Sequence, residues 1–370
     1  MKLPLLAFTS RLYPDVDLSN TSLVACQHIL GTTADLLDTC FAKGLKPENT
    51  YILGKCYSTH TGTLKLLVKK GVCVSPLSST FVANKNYDAQ FKKYVESFAD
   101  QLIADGVFDE KQRVIVLDDG GFLLQYLNEV LGDVSNISGV EQTSSGFERL
   151  KSLPLRFGVV NVARSAIKLE LESALVAKKV IDELEKRVPL LTAIRVLVIG
   201  QGAIGKALKA QLTGRVNVYG CDSTAELCDF NGDYEAQLPT FDVIIGATGK
   251  TVLTMEQVGR LKKDAILASA SSSDREFPAV EMRRDIHGSL GCHADIKSGN
   301  VHLLNNGFPL NFTGEEHSLP PEDAQLTRAL LLAGVCESTL PLSRGLHTIS
   351  SQQQRIADEF MHLKSLQKSI

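Results

Sequence analysis

One strand–glycine–helix segment constrains the fold of this chain more than any other part of its sequence. Residues 194–199 form an apolar, β-branched run, residues 200–205 read Gly-Gln-Gly-Ala-Ile-Gly, and residues 206–212 have helical composition. Glycines with this spacing allow a tight turn, a close backbone approach to a pyrophosphate and close packing of helix on strand. The segment predicts a doubly wound dinucleotide-binding domain. The residues predicted to surround the phosphates are Gly200, Gly202, Ala203, Ile204 and Gly205.

A carboxylate follows the second predicted strand of this domain. Residues 216–221 form a β run that ends at Asp222. A carboxylate at that point accepts hydrogen bonds from an adenosine ribose, and no Arg follows at once to take a 2′-phosphate, so the sequence predicts NAD rather than NADP. The alternative is that Asp222 is an ordinary turn residue. A further strand ends in Ala247, Thr248 and Gly249, small residues that we assign to the cofactor site.

The chain before residue 165 alternates between helical and strand-like patterns. Helical spacing of apolar residues predicts helices at 24–43, 63–70 and 94–104. Apolar runs predict strands at 50–54, 72–74 and 113–117. This alternation is typical of a parallel sheet with helices on its faces. Amphipathic segments at 165–186 and 352–367 predict a helix that connects two domains and a C-terminal helix.

The length of 370 residues favours two domains. We predict an α/β protein with a Rossmann-type doubly wound NAD-binding domain and a discontinuous α/β substrate domain. The predicted boundaries are 1–173 for the first part of the substrate domain, 174–304 for the NAD-binding domain, 305–345 for the return to the substrate domain and 346–370 for the C-terminal helix.

Composition excludes several classes of partner. With 39 basic and 42 acidic residues the net charge is −3, which gives no electrostatic basis for binding nucleic acid or an anionic membrane. No apolar run is as long as a membrane span, and the apolar start of the chain is too short for a secretion signal, so we expect a cytoplasmic protein. The eight cysteines have no zinc-like spacing, so we expect reduced thiols and no metal.

Six segments, in order along the chain, resemble the S-adenosylhomocysteine hydrolase family. They are 117–121 (LDDGG), 139–146 (GVEQTSSG), 161–168 with its Asn-Val and final Lys, 200–206, 247–249 and 305–307. Residues 26–28 and 57–59 resemble the two N-terminal substrate segments of that family. The resemblance covers about residues 20 to 335. It implies a homo-oligomer, dimer or tetramer, with bound NAD that oxidises a ribose 3′-hydroxyl so that a 5′ thioether can be eliminated.

The resemblance implies catalytic roles for four residues. Lys168 matches the lysine beside the 3′-hydroxyl, and Glu172 takes the position of an aspartate on the same helical face. His28 and Asp119 match a histidine and an aspartate near C4′ and C5′. The alternatives are that Lys168 is a solvated partner of Glu172 and that His28 is a hydrogen-bonded core histidine.

Further binding residues are implied by the same resemblance. Cofactor contacts are expected from Thr143, Ser144 and Asn305, the last near the nicotinamide amide. Substrate contacts are expected from Ser58, Thr59, His60, Glu141 and Gln142.

Several positions depart from the family pattern. Polar residues that the family uses near adenine are replaced by Leu30 and Thr32, one acid is replaced by Gln142, and a loop histidine is replaced by Ser272. Unpaired polar groups of an adenosine would cost about 1 to 3 kcal/mol each. The sequence therefore favours an NAD-dependent enzyme that oxidises a secondary alcohol of another small nucleoside- or sugar-like substrate. The alternatives are a genuine adenosylhomocysteinase and a non-catalytic NAD-binding regulatory relative.

Overall fold

A computed structural model describes residues 3–109, 111–132, 134–189, 193–230, 234–284, 286 and 290–367. The chain divides into two compact units. Unit 1 comprises the chain up to Thr80, Phe91–Leu169, and the chain from Glu315 onward. Unit 2 comprises Phe81–Gln90 and Glu170–Gly314.

The described strands, in chain order, are β1 Thr21–Cys26, β2 Thr50–Leu53, β3 Cys73–Val74, β4 Arg113–Asp118, β5 Ile137–Glu141, β6 Gly158–Asn161, β7 Arg195–Ile199, β8 Asn217–Cys221, β9 Val243–Gly246, β10 Ala265–Ser269, β11 Ile296–Ser298, β12 Val301–Leu303 and β13 Gly345–Thr348. The described α-helices are α1 Pro4–Leu12, α2 Gly31–Ala42, α3 Thr61–Lys69, α4 Tyr87–Ala104, α5 Phe122–Val130, α6 Ser144–Leu150, α7 Ala166–Glu185, α8 Ala203–Leu212, α9 Met255–Gly259, α10 Ala279–Arg283, α11 Pro321–Glu337 and α12 Gln352–Gln367.

Unit 1 contains a seven-stranded sheet with the order β13-β6-β5-β4-β1-β2-β3. Every pairing in it is parallel. Strands β1 and β5 are buried along their whole length, which explains their nearly continuous apolar or small-residue composition. Because the strands are parallel, their carboxyl ends meet at one edge of the sheet.

Unit 2 contains a six-stranded sheet with the order β11-β12-β10-β9-β7-β8, parallel except for the β11–β12 pair. Alternate residues of β7 enter different cores: Leu197 packs in one apolar cluster, and Val196 and Val198 pack in the other. Both faces of the sheet are therefore covered. The chain leaves β7 for β8 on one side and returns to β9 on the other, so the strand order reverses at β7.

The predicted fold class is confirmed: the chain is a two-unit α/β protein with a Rossmann-type sheet in unit 2 and a discontinuous unit 1. The predicted boundaries at 173 and 304 are displaced. The first falls inside α7, between Leu169 and Glu170, and the second falls after Gly314. Residues Phe81–Gln90, predicted to lie in the substrate domain, belong to unit 2, where Phe308 packs edge-to-face against Phe81 and Tyr87.

The prediction of a helix over 24–43 is wrong in its first part. Residues Thr21–Cys26 form the buried strand β1, and helix α2 begins only at Gly31. A short apolar run fits either element, and pairing with β2 and β4 on both sides selects the strand. The other helices and strands predicted before residue 200 are present with shifted ends, and α12 occupies the predicted range 352–367. Among the described helices none is long and apolar enough to cross a membrane.

The glycine turn after β7 is tightly packed at two of its three glycines. Gly200 has a left-handed φ of 100°, which favours glycine, and a Cβ on Gly205 would lie 1.7 Å from the Gly200 carbonyl oxygen. The turn and the start of α8 therefore depend on the absence of side chains at these positions.

We expect Gly205→Ala to destabilise unit 2 by about 2 kcal/mol or more, because the backbone of the turn must move to admit a methyl group. Urea unfolding followed by circular dichroism measures this. Gly259→Ala is the matched control, since no atom lies within 4 Å of the position a Cβ would take there. Equal stabilities of the two variants would contradict the proposed packing.

Candidate functional site

Polar side chains follow four adjacent strands of unit 1 at the carboxyl edge of its sheet. His28 follows β1, Lys55 follows β2, Asp119 follows β4 and Gln142 follows β5. All four are buried. Buried polar groups at this edge of a parallel sheet are the usual components of a ligand or active site in α/β proteins.

The Asp119 carboxylate is the centre of this group. Its Oδ2 lies 3.2 Å from His28 Nε2 and accepts a hydrogen bond from Gln142 Nε2 at 2.6 Å. Its Oδ1 forms an ion pair with the Lys55 ammonium, which also donates to the Asp119 main-chain carbonyl at 2.7 Å. The carboxylate thus has three side-chain partners.

His28 is held between Asp119 and Ser58. Its Nδ1 lies 2.5 Å from Ser58 Oγ. Because ionised Asp119 only accepts hydrogen bonds, His28 Nε2 carries the proton and Nδ1 accepts from the Ser58 hydroxyl. The order hydroxyl, imidazole, carboxylate is the arrangement in which an imidazole removes a proton from a hydroxyl group. We call Ser58, His28, Asp119 and Lys55 the relay cluster.

The charges in the relay cluster are strongly perturbed. Burial alone raises the pKa of a carboxyl, but Lys55 and His28 hold the pKa of Asp119 well below its usual range. Burial alone lowers the pKa of an ammonium, but Asp119 holds the pKa of Lys55 above its usual range. Burial lowers the pKa of His28, against the opposing effect of Asp119. The resting cluster is therefore a carboxylate, an ammonium and a neutral imidazole.

Two further buried carboxyls lie on neighbouring strands behind Asp119. Asp118 and Glu141 are register partners in β4 and β5. Burial raises the pKa of Asp118 to about 6 and that of Glu141 well above its usual range. Glu141 Oε1 accepts from Gly120 N at 3.2 Å and from both the N–H and the hydroxyl of Thr143 at 2.7 Å. Glu141 thus fixes the loops that carry Asp119 and Gln142.

The structure brings five of the predicted unit 1 residues together and leaves others apart. His28, Ser58, Asp119, Gln142 and Glu141 share the carboxyl edge. The remaining residues have local roles: Thr59 Oγ1 donates to the Lys55 carbonyl, Thr143 and His60 are the N-caps of α6 and α3, and Ser144 is exposed at the start of α6. Their contacts to substrate or cofactor stay predictions.

Lys168 and Glu172 lie one turn apart on α7, where the boundary between the units falls between them. Lys168 is buried, with 9% of its surface exposed, and Glu172 is half-buried. The Lys168 main-chain N–H lies 3.5 Å from Ser165 Oγ, at the start of the helix. The predicted oxidation role of both side chains stays a prediction.

The glycine turn of unit 2 fits an adenosine diphosphate group. No atom lies within 4 Å of the position a Cβ would take at Gly202, so the backbone is open there. Asp222 follows β8 beside the turn, and its Oδ2 accepts from Gln201 N at 2.6 Å while Oδ1 accepts from Thr224 N at 3.0 Å. These backbone N–H groups hold the pKa of Asp222 below its usual range. Ala203 and Ile204 begin α8.

A buried glutamate organises the predicted cofactor residues after β9. Glu276 accepts hydrogen bonds from the N–H groups of Thr248 at 2.8 Å and Gly249 at 2.6 Å, and from the hydroxyls of Thr248 and Ser271. Ala247 N donates to the carbonyl of Ile199, the last residue of β7. The loop after β9 is thus fixed beside the glycine turn.

Asn305 is fully buried, and its amide is used within its own loop. Nδ2 donates to the carbonyls of Phe308, Pro309 and Phe312, and Oδ1 lies 2.9 Å from His293 Nδ1. A contact with nicotinamide would require exchange of one of these bonds, and it stays a prediction.

Sequence reasoning missed Lys55 and Glu276. Lys55 directly follows the predicted strand 50–54, so the rule that polar residues at strand ends form sites identifies it as a candidate. Glu276 lies in a loop with no such signal. Within the described part of the chain, no three His, Cys, Asp or Glu side chains form a group that could hold a metal ion. His287 lies outside the described residues.

Comparison with known proteins gives one extensive and one partial sequence similarity, and no protein-family model matches. The chain is 37% identical over 341 residues to an uncharacterised protein of Mycobacterium tuberculosis, covering 89% of this chain and 66% of that protein. It therefore spans slightly less than two thirds of that relative. It is 29% identical over 230 residues to adenosylhomocysteinase of Sulfurisphaera tokodaii, covering 55% of this chain and 54% of that enzyme.

The solved structures that resemble this chain do so at low identity. One dipicolinate synthase polypeptide, from Bacillus halodurans, aligns with a TM-score of 0.43 and 10% identity, covering 87% of this chain and 98% of that one. NAD⁺-bound 3-phosphoglycerate dehydrogenase of Entamoeba histolytica aligns with a TM-score of 0.42 and 10% identity, covering 86% and 95%.

We expect Lys55→Met to destabilise the protein by about 3 kcal/mol at pH 7, because it leaves the buried Asp119 carboxylate without its cation. Urea unfolding of the variant and the wild type measures the difference. Lys70→Met is the matched control: its ion pair with Asp38 is partly exposed, so its loss costs about 1 kcal/mol or less. Equal losses for both variants would contradict the importance of the buried pair.

The same variant has a defined pH dependence. Asp119, with its pKa lowered from 3.8, stabilises the native state above the unfolded-state pKa, and this stability is lost as the pH falls through the native pKa. Lys55, with its pKa raised from 10.5, stabilises below that value and loses its effect as the pH rises through the native pKa. The difference between Lys55→Met and wild type is therefore largest between about pH 4 and pH 10 and decreases on further acidification.

Proposed function

We propose that the protein is an NAD-dependent enzyme that oxidises a secondary alcohol of a small nucleoside- or sugar-like substrate. The observation that carries this proposal is the glycine turn of unit 2, with an open backbone at Gly202 and a fixed carboxylate at Asp222. This combination favours a dinucleotide with an unmodified adenosine ribose. The partial similarity to an adenosylhomocysteinase supports the same class of enzyme.

The residues proposed to hold the cofactor fit it in size and charge. Gly200, Gly202 and Gly205 leave room for the pyrophosphate, and the free N–H groups at the start of α8 face negative charge favourably. The Asp222 carboxylate keeps acceptor capacity beyond its two backbone bonds, as each carboxylate oxygen has two lone pairs. NAD, when bound, supplies the acceptor for a hydride from the alcohol carbon.

The groups proposed to move protons lie in unit 1. Lys168 is proposed to take the hydroxyl proton, and Glu172, one turn further along α7, to orient it. The relay cluster is proposed to hold or move a second proton at Ser58 Oγ, since His28 Nδ1 accepts from that hydroxyl and Asp119 stabilises the imidazolium that would form. Lys55 keeps Asp119 ionised during this transfer.

A second candidate, hydrolysis of S-adenosylhomocysteine, is favoured by the similarity to the Sulfurisphaera tokodaii enzyme. The replaced adenine-reading positions Leu30, Thr32 and Ser272 argue against it. Adenosine distinguishes the two functions: reduction of bound NAD by adenosine supports the hydrolase, and reduction by another alcohol alone supports the first proposal.

We expect Asp222→Ala to weaken NAD binding by about tenfold to a hundredfold while affecting NADP less, because only the unmodified ribose uses that carboxylate. Isothermal titration calorimetry with both nucleotides measures this. Asp242→Ala is the matched control, since its carboxylate accepts from Arg195 N at 2.9 Å at the opposite edge of the same sheet. No binding of NAD to the wild-type protein would overturn the proposed function.

We expect Lys168→Met to reduce the rate of substrate-dependent NAD reduction by about a hundredfold or more, with NAD affinity unchanged, since it removes the proposed base. The near-ultraviolet absorbance of reduced nicotinamide, followed over a single turnover with a panel of alcohols, measures the rate. Lys178→Met on the exposed side of α7 is the control. An unaltered rate in Lys168→Met would remove Lys168 from the mechanism.

A further inference from the structure

Two cysteines lie side by side next to the carboxylate proposed to bind ribose. Cys221 is the buried last residue of β8, and Cys228 is half-buried at the end of the following loop. Their Sγ atoms are 3.5 Å apart. The adjacent backbone is tied together because Asp229 N donates to the Gly220 carbonyl at 3.0 Å and Gly220 N donates to Asp229 Oδ2 at 2.6 Å. These bonds keep the two thiols close.

The Cys228 thiol also binds the main chain of Asp222 in two ways. Cys228 Sγ accepts from Asp222 N at 3.1 Å and donates to the Asp222 carbonyl at 3.0 Å. The carboxylate of Asp222 in turn accepts from Gln201 N in the glycine turn. A change at Cys228 therefore reaches the glycine turn through one residue.

We propose that Cys221 and Cys228 form a reversible disulfide site and that its oxidation weakens NAD binding to unit 2. The first part stands on the geometry of the two cysteines, and the second rests on the proposed function. The oxidant is a small-molecule disulfide of the glutathione class.

The reaction balances as two successive exchanges. The Cys228 thiolate attacks the small disulfide, forms a mixed disulfide and releases one thiol. The Cys221 sulfur gives its proton to solvent, attacks the Cys228 sulfur and expels the second thiol. The two cysteines lose two electrons, and the small disulfide gains them. Exposure sets the order, because Cys228 is half-buried whereas burial raises the pKa of the Cys221 thiol to about 12.

Disulfide formation must displace the loop rather than the strand. The sulfurs have to approach from 3.5 Å to about 2.05 Å, and Cys221 is fixed by the pairing of β8 with β7. Cys228 therefore moves, and its sulfur can no longer donate to the Asp222 carbonyl because it has lost its proton. We expect NAD affinity to fall by about fivefold or more, as for the loss of one hydrogen bond.

The test uses the full chain, reduced or treated with oxidised glutathione. Alkylation of remaining thiols, proteolysis and mass spectrometry map the linkage, and dithiothreitol reverses it. Calorimetry then measures NAD affinity in both states. Saturating NAD should make the disulfide harder to form by the same factor by which the disulfide weakens NAD binding, because the coupling is reciprocal.

Two variants control the experiment. Cys228→Ser keeps a donor and an acceptor for the Asp222 main chain but forms no disulfide, so its NAD affinity should stay close to that of reduced wild type and resist oxidised glutathione. Cys73→Ser removes an exposed cysteine elsewhere and should leave the oxidative response intact.

Each outcome decides a part of the proposal. A mapped 221–228 linkage with weaker NAD binding supports both parts. Absence of the linkage while Cys73 reacts with glutathione overturns the disulfide site. A linkage with unchanged affinity overturns the coupling. If the reduced protein binds no NAD, the proposed function and the coupling fail together, whereas the mapped linkage still decides the disulfide site.

Discussion

The ion pair between Asp119 and Lys55 is the interaction on which the carboxyl edge of unit 1 depends. A buried carboxylate without a cation would be costly, and here the ammonium, an amide and an imidazole all converge on it. Because Asp119 stays ionised, His28 keeps its proton on Nε2 and presents Nδ1 to Ser58. The charge of one lysine thus determines which atom of the site can accept a proton.

Unit 2 applies the same topological rule to a different chemistry. Its strand order reverses at β7, and the glycine turn lies at the carboxyl end of that strand. Backbone N–H groups fix Asp222 at the turn, and Glu276 fixes the neighbouring loop. The reactive thiol of Cys228 lies against Asp222, so the geometry that would select a ribose is joined to a group sensitive to oxidation.

Features that depend on local chain properties were predictable. The glycine turn needs glycine because of its φ and its close contacts, and Asp222 follows a recognisable strand. Features that depend on neighbours from distant parts of the chain were less so. Residues 24–26 fit a helix or a strand until β2 and β4 pair on both sides, and Asn305 is used within its own loop rather than left open.

The sequence by itself determined the class of fold, the nucleotide turn and most of the polar residues at the two sheet edges, because apolar periodicity and glycine placement are local properties. The tertiary structure decided which of those residues meet. Lys55 and Asp119 lie on different strands, and only parallel pairing of β1 between β2 and β4 places their ends together. The ionisation of the site follows from that pairing, since desolvation and a partner's charge exist only once the chain is folded.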